Sequence, residues 1–147
     1  MKNIKISKGK LYISHCPSAE ELTKSKKFSI IWNLASETSF LYDLENIFAD
    51  KVFLAKISDY DIPTNEQLFF SQLKEVSLCL MNNGKVLVHC LAGHGRTGMT
   101  LACIKMVVDN LDAQSAIRFA LSKCKGPEKE IQMLFIANNK EKISKLL

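Results

Sequence analysis

Ten consecutive residues, His89-Cys90-Leu91-Ala92-Gly93-His94-Gly95-Arg96-Thr97-Gly98, separate a cysteine from an arginine by five positions, two of them glycine. The apolar run Val86-Leu87-Val88 precedes this segment, and a helix-like apolar stretch over residues 99–108 follows it. A strand feeding a glycine-rich turn that opens a helix leaves backbone N–H groups unpaired at the positive end of the helix dipole. Such a site favours an anion. Gly93 and Gly95 let the backbone reach positive φ and approach a ligand closely. At the base of the cradle Cys90 is favoured as thiolate over thiol. Arg96 offers a planar fork that fits two phosphate oxygens at once. A nucleophile and an anion clamp at one point imply phosphoryl transfer through a cysteine. Cys90 would attack phosphorus while the N–H groups of residues 91–96 and the Arg96 guanidinium hold the equatorial oxygens. These donors already neutralise the phosphoryl group, so neither a metal nor another cofactor is expected.

The elements that must hold this turn follow from apolar spacing. Residues 4–7 and 11–14 read as short strands around a Lys8-Gly9 turn, 29–34 as a strand centred on Ile30, Ile31 and Trp32, and 52–57 as another. Helices are expected over 18–27 and 38–48. Thr64-x-x-Gln67 has capping-box form and opens a helix with Phe69, Leu73, Val76 and Leu80 at helical spacing. Asn82-Asn83-Gly84 stops it. Residues 86–88 are apolar without alternation, as in a strand buried on both faces. The stretch 99–108 is apolar nearly all round and reads as the core helix behind the sheet. Asp112 caps a helix with Ala113, Ala116, Ile117, Ala120 and Leu121 on one face, and Pro127 reads as the first residue of the last helix. The alternation predicts an α/β fold: a single domain over residues 1–147 with a central, mainly parallel sheet of four to five strands flanked by helices. There is no repeat, low-complexity segment or interdomain linker.

The pattern His-Cys-x5-Arg-Thr-Gly resembles the signature of the cysteine-dependent protein tyrosine phosphatases. The form Ala92-Gly93-x-Gly95-Arg96-Thr97-Gly98 is similar to that of the compact dual-specificity branch, which includes archaeal-type tyrosine phosphatases and the phosphatase-and-tensin family. The likeness runs from about residue 11 to residue 135. It implies that Thr97 is the hydroxyl that donates to the cysteine sulfur, a role compatible with capping the helix. It makes His89 the histidine that fixes the loop through its backbone, a structural part and not a base. The family's general acid lies on a mobile loop one helix and one strand before the nucleophile. There Asp59-x-x-x-Pro63 matches, while Asp61 falls out of register and reads as a turn aspartate. Gln132 resembles the glutamine that positions water against the phospho-enzyme, with a solvated helix glutamine as the alternative. Leu91 and His94 occupy variable positions of the substrate-binding loop where phosphoinositide-specific relatives tend to carry lysines, so an inositol phosphate is disfavoured. Ala92-Gly93-x-Gly95 also departs from the loop of the superfamily's RNA triphosphatases. The chain has no counterpart of the long insertion that deepens the pocket of the larger classical enzymes. The resemblance therefore implies a shallow pocket and a phosphorylated protein substrate, with phosphotyrosine accepted and phosphoserine or phosphothreonine beside it. A phosphoinositide or RNA 5′-phosphatase is the alternative within the superfamily. A non-catalytic phosphate-binding module is the alternative outside enzymes, and retention of both Cys90 and Arg96 favours catalysis.

Composition sets the frame. With 147 residues, 47% of them hydrophobic, the chain suits one core and is too short for a second. The longest apolar stretch, 101–108, is interrupted by Lys105 and too short to cross a bilayer, and the basic residues 1–10 precede no signal-peptide pattern. Five cysteines, odd in number and without metal-ligand spacing, fit a reducing cytosol and a cytoplasmic location. The net charge of +5 comes mainly from lysines that either attract acidic or phosphorylated partners or simply solvate the surface. No arginine-rich run or aromatic interleaving points to a nucleic-acid partner. The oligomeric state is not legible in the sequence.

Overall fold

Val86, Leu87 and Val88 are fully buried, and the sheet assembles around the strand that carries them. The computed structural model describes residues 1–147. Its strands are β1 (Lys2–Ile4), β2 (Lys10–Ser14), β3 (Phe28–Ala35), β4 (Ala49–Ile57) and β5 (Lys85–His89), in the spatial order β1-β2-β5-β3-β4. Only β1 and β2 pair antiparallel; β2, β5, β3 and β4 run parallel. The helices are α1 (Ala19–Lys24), α2 (Tyr42–Glu45), α3 (Glu66–Met81), α4 (Gly95–Val108), α5 (Ala113–Lys123), α6 (Glu130–Asn138) and α7 (Lys140–Ser144). This is the α/β architecture expected, with the sheet at the upper end of the expected strand count.

Alternation along the strands divides the core between the two sheet faces. Ile30, Trp32, Val86 and Val88 point into the larger cluster, with Phe69 and Leu73 of α3, Met99 and Ile104 of α4, and Phe135 of α6. Ile31 and Leu87 point the other way, into a small cluster with Leu22, Phe28, Ala49 and Val52. The one buried indole is satisfied: Trp32 Nε1 donates to Gln72 Oε1 at 2.8 Å. Because four strands are parallel, their carboxyl ends lie on one edge of the sheet. The turns leaving that edge carry His15, Glu37, Asp59 and Cys90. In open parallel sheets this is the edge at which ligands bind.

Several boundaries differ from the sequence reading. The first strand is Lys2–Ile4 and not 4–7, because Ile4 pairs with Leu11 while Ser7 turns away to donate its N–H to Asp109. The expected helix over 38–48 is a 3₁₀ turn, Ser36–Leu41, followed by the single turn of α2. The cause is Thr38, whose carbonyl accepts from the Asn33 side chain at 2.8 Å and whose hydroxyl donates to Asn33 Oδ1 at 2.6 Å. The α3 cap is Asn65, which accepts from Leu68 N–H at 3.0 Å, and not a Thr64–Gln67 box. The core helix begins at Gly95, inside the signature, and α7 had no forecast. Pro127 precedes α6 instead of opening it, and follows Gly126 through a cis peptide. The Gln132 side chain turns back to accept from Glu128 N–H and Lys129 N–H at 2.9 and 3.2 Å, which sets the start of α6 at Glu130.

Candidate active site

The nucleophile candidate sits where β5 ends. Cys90 is 2% exposed, and its Sγ accepts from Thr97 Oγ1 at 3.1 Å and from Gly93 N–H at 3.3 Å. Thr97 is fully buried in the first turn of α4, so its hydroxyl is committed to the sulfur and does not cap the helix. Gly93 holds φ +81°, and a Cβ there would lie 2.8 Å from His15 N. The turn therefore needs glycine for both conformation and space. Two loop carbonyls are held by neighbours outside the turn: Cys90 C=O lies 3.1 Å from His89 Nδ1, and Leu91 C=O accepts from Cys16 N–H at 2.8 Å. Leu91 and Ala92 form the exposed rim, whereas Gly95 is buried. His94 is half-buried, and its Nδ1 has no partner.

Arg96 is 3% exposed and is held by four contacts. Nη1 donates to Glu37 Oε1 at 2.6 Å and to Ile57 C=O at 2.9 Å, Nη2 donates to Glu37 Oε2 at 2.8 Å, and Asp59 Oδ1 lies 3.3 Å from Nη2. Of the five guanidinium hydrogens the bonds to Glu37 and Ile57 use three and Nη2 also faces Asp59, which leaves Nε–H as the donor without a protein partner. Burial opposes the Arg96 charge, but the Glu37 hydrogen bonds and the charges of Cys90, Glu37 and Asp59 outweigh it and raise its pKa. In return, hydrogen bonding from Arg96 holds the Glu37 carboxyl below its ordinary range, against burial.

The loop after β4 separates its two aspartates. Asp59 stands beside Arg96 with its side chain 53% exposed. The Asp61 carboxylate instead accepts from Ile62 N–H at 2.7 Å, and only its backbone carbonyl reaches the site region, where it accepts from Gln132 Nε2 at 3.2 Å. Gln132 is completely buried, which removes the solvated alternative. A Cβ on Gly95 would lie 3.0 Å from Gln132 Oε1 and 2.7 Å from Glu128 Oε1, so both side chains press against the signature loop. Gly95 N–H, one of the cradle donors, is answered by Glu128 Oε1 at 2.9 Å. The structure thus gathers Cys90, Arg96, Thr97, Asp59 and Gln132 around one turn, with His89 beneath it.

Three glutamates escaped sequence reading. Glu37 had a signal: it lies two residues beyond a buried parallel strand, on the edge that holds the signature. Glu128 follows Pro127, where the sequence marked only the start of a helix. Glu45 had none; it is 1% exposed, and its Oε2 lies 2.5 Å from His89 Nε2. The remaining cysteines are chemically muted. Burial is the first cause that pushes up the thiols of Cys16, Cys79 and Cys124, and it pushes fully buried Cys103 up to about 12. No group of three or more His, Cys, Asp or Glu side chains is arranged to hold a metal ion, and no helix is long and apolar enough to cross a membrane.

A five-stranded α/β sheet presenting Cys-x5-Arg between its central strand and a buried helix is the architecture of the dual-specificity phosphatase family. Residues 11–143 match the family described as "Dual specificity phosphatase, catalytic domain", and the chain belongs to that family. It is 29% identical over 90 residues, 61% of its length, to protein tyrosine phosphatase domain-containing protein 1 of Danio rerio, and covers 13% of that protein. It is 39% identical over 46 residues, 31% of its length, to cyclin-dependent kinase inhibitor 3 of Sus scrofa, and covers 22% of that protein. The chain thus spans less than a quarter of either relative. Among solved structures it resembles Tk-PTP in its active form, with a TM-score of 0.79 and 25% identity over 90% of this chain and 92% of that one.

Proposed function

We propose that this chain hydrolyses phosphate monoesters on proteins, phosphotyrosine and also phosphoserine or phosphothreonine, through a cysteinyl-phosphate, with residues 1–147 acting as one catalytic domain. The observation that carries the reading is the pair of hydrogen bonds, from Thr97 and Gly93, that meet on Cys90 Sγ, with the buried Arg96 guanidinium in the first turn of the helix that follows. Both donors are aimed at the sulfur, where they would bond the thiolate that attacks and later leaves. In the first step the S–P bond forms and the P–O bond to the leaving group breaks. Asp59 supplies the proton that the leaving oxygen takes. In the second, a water positioned by Gln132 attacks phosphorus and returns a proton to Asp59, and Cys90 leaves as a thiolate stabilised by Thr97. Arg96 and the loop N–H groups hold the equatorial oxygens throughout, without a cofactor. The open rim at Leu91, 49% exposed, supports a shallow entrance that admits more than one phosphorylated side chain. A thiolate of this kind needs a reducing, cytoplasmic setting.

The test is phosphate release from p-nitrophenyl phosphate and from phosphotyrosyl and phosphothreonyl peptides. The native chain should turn over, and acid quenching should trap phosphate on Cys90. Cys90→Ser should bind phosphopeptide and release nothing, because a hydroxyl is not activated there. Turnover by Cys90→Ser would refute the mechanism. Phosphopeptide binding by the native chain without turnover would make it a binding module.

A further inference from the structure

Asn33, Thr38, Glu45 and His89 form a closed polar network on the sheet face opposite Cys90, and its acceptors fix where the protons sit. Asn33 stands opposite His89 in the β3–β5 register, and both are fully buried. The Thr38 carbonyl can only accept, so the Asn33 atom 2.8 Å from it is Nδ2. That nitrogen also donates to Glu45 Oε1 at 2.8 Å. At the other end the Cys90 carbonyl can only accept, so His89 Nδ1, 3.1 Å away, carries a hydrogen. His89 Nε2 and Glu45 Oε2 are 2.5 Å apart, and that contact needs one proton between them. Asn33 Nδ2 already donates to Oε1, so each oxygen of the Glu45 carboxyl group has one partner. An imidazolium paired with a carboxylate is neutral as a unit and tolerates complete burial when each is also hydrogen-bonded.

We propose that Glu45 is a positioning residue of this active site. By keeping both His89 nitrogens protonated, it holds the Cys90 carbonyl away from the anion cradle and sets a positive charge one residue from the nucleophile. The inference rests on the phosphatase reading above. A neutral histidine has two tautomers, and only one donates from Nδ1; Glu45 removes the choice. A Cys90 carbonyl free to turn inward would present its oxygen to the phosphate and remove an inward-facing N–H.

The test is the ¹⁵N spectrum of the His89 ring in the full chain, with Cys90 alkylation by iodoacetamide and kcat/KM measured beside it. In the native chain both ring nitrogens should show protonated, imidazolium-type shifts near neutral pH. Glu45→Gln keeps the shape: its oxygen can take the Asn33 donor and its amide can donate to Nε2. This variant should fold as the native chain does, keep the Nδ1–H bond to the Cys90 carbonyl, show one unprotonated ring nitrogen, and lose about 10-fold in kcat/KM with a parallel fall in alkylation rate through the lost ring charge. Glu45→Ala, which leaves Nε2 without its partner, should lose more rate than Glu45→Gln, because the ring is then free to take the tautomer that releases the Cys90 carbonyl. An unprotonated nitrogen in native His89 overturns the proposal, as does native turnover and alkylation in Glu45→Gln. The ring spectrum and the alkylation need no substrate. A chain with the two-proton His89, Glu45-dependent alkylation and no phosphate release would therefore refute the phosphatase reading and leave the Glu45 assignment standing.

Discussion

Asp59 and Asp61 sit two residues apart on one loop, yet only Asp59 puts its carboxylate beside Arg96, while Asp61 spends its own on Ile62 N–H. If Asp59 protonates the leaving oxygen, Asp59→Asn should lower kcat by roughly 10²- to 10⁴-fold on alkyl phosphates. The loss should be small on p-nitrophenyl phosphate, whose leaving group scarcely needs a proton. Asp61→Asn should shift turnover little, since its amide oxygen can still accept from Ile62 N–H. A larger, leaving-group-dependent loss for Asp61→Asn would exchange the two roles. The sequence separated these aspartates because their distance from Pro63 differs. It made Cys90, Arg96 and Thr97 legible because they share one short stretch. Glu37, Glu45 and Glu128 were not legible because the fold brings them to their partners across 59, 44 and 33 residues. Nothing local marks such a glutamate as buried or as half of an ion pair.

At the scale of elements, the site depends on how closely α4 meets the connection between α5 and α6. A Cβ at Gly98 would lie 2.2 Å from Gly126 C and 2.3 Å from its O, and backbone atoms cannot rotate out of the way. That contact fixes the segment from which Glu128 and Gln132 press on Gly95. Gly98→Ala should therefore push the connection outward, costing about 1–3 kcal/mol of stability as overpacking does and lowering kcat in the same variant. Chemical denaturation and phosphate release measure the two effects. A native midpoint with native kcat would show that the connection adjusts freely. The long elements were legible because periodicity states which face is buried, as at Phe69, Leu73, Val76 and Leu80 of α3. The stretch 38–48 was misread because hydrogen-bonding groups of Thr38 and Glu45 serve Asn33 and His89 instead of a regular helix ladder, and no periodicity records that. The start of α6 was misread for a related reason, since Gln132 and not Pro127 organises it.

Over the whole molecule, the net charge of +5 is not spread evenly around the site. A groove of about 630 Å³ adjoins the signature loop at Gly93 and His94, and the charged residues among those lining it are Lys2, Lys123 and Lys125, with no carboxylate. His15 completes the wall, and its ring stands 3.8 Å from Glu21. Cations beside a cradle that already binds a dianion raise the local concentration of acidic ligands, an effect that salt screens within about 10 Å at 0.1 M. The Leu91 rim selects little by shape, so charge around the phosphorylated residue should do more of the sorting. Phosphopeptides with acidic flanks should therefore show a higher kcat/KM than the same peptides with neutral flanks, and the advantage should shrink as salt rises. Replacing two of the three lining lysines, Lys123→Glu with Lys125→Glu, should remove roughly three- to tenfold of that advantage, the scale of exposed charge pairs. Hydrolysis of p-nitrophenyl phosphate, which has no flank to bind, should stay at the native rate. If acidic and neutral flanks are hydrolysed equally at low salt, the lysines beside the loop only solvate the surface and the choice of substrate lies elsewhere. If p-nitrophenyl phosphate hydrolysis falls with the peptide rates, the double replacement has disturbed the cradle itself, and the flank effect is then read from the salt series on the native chain.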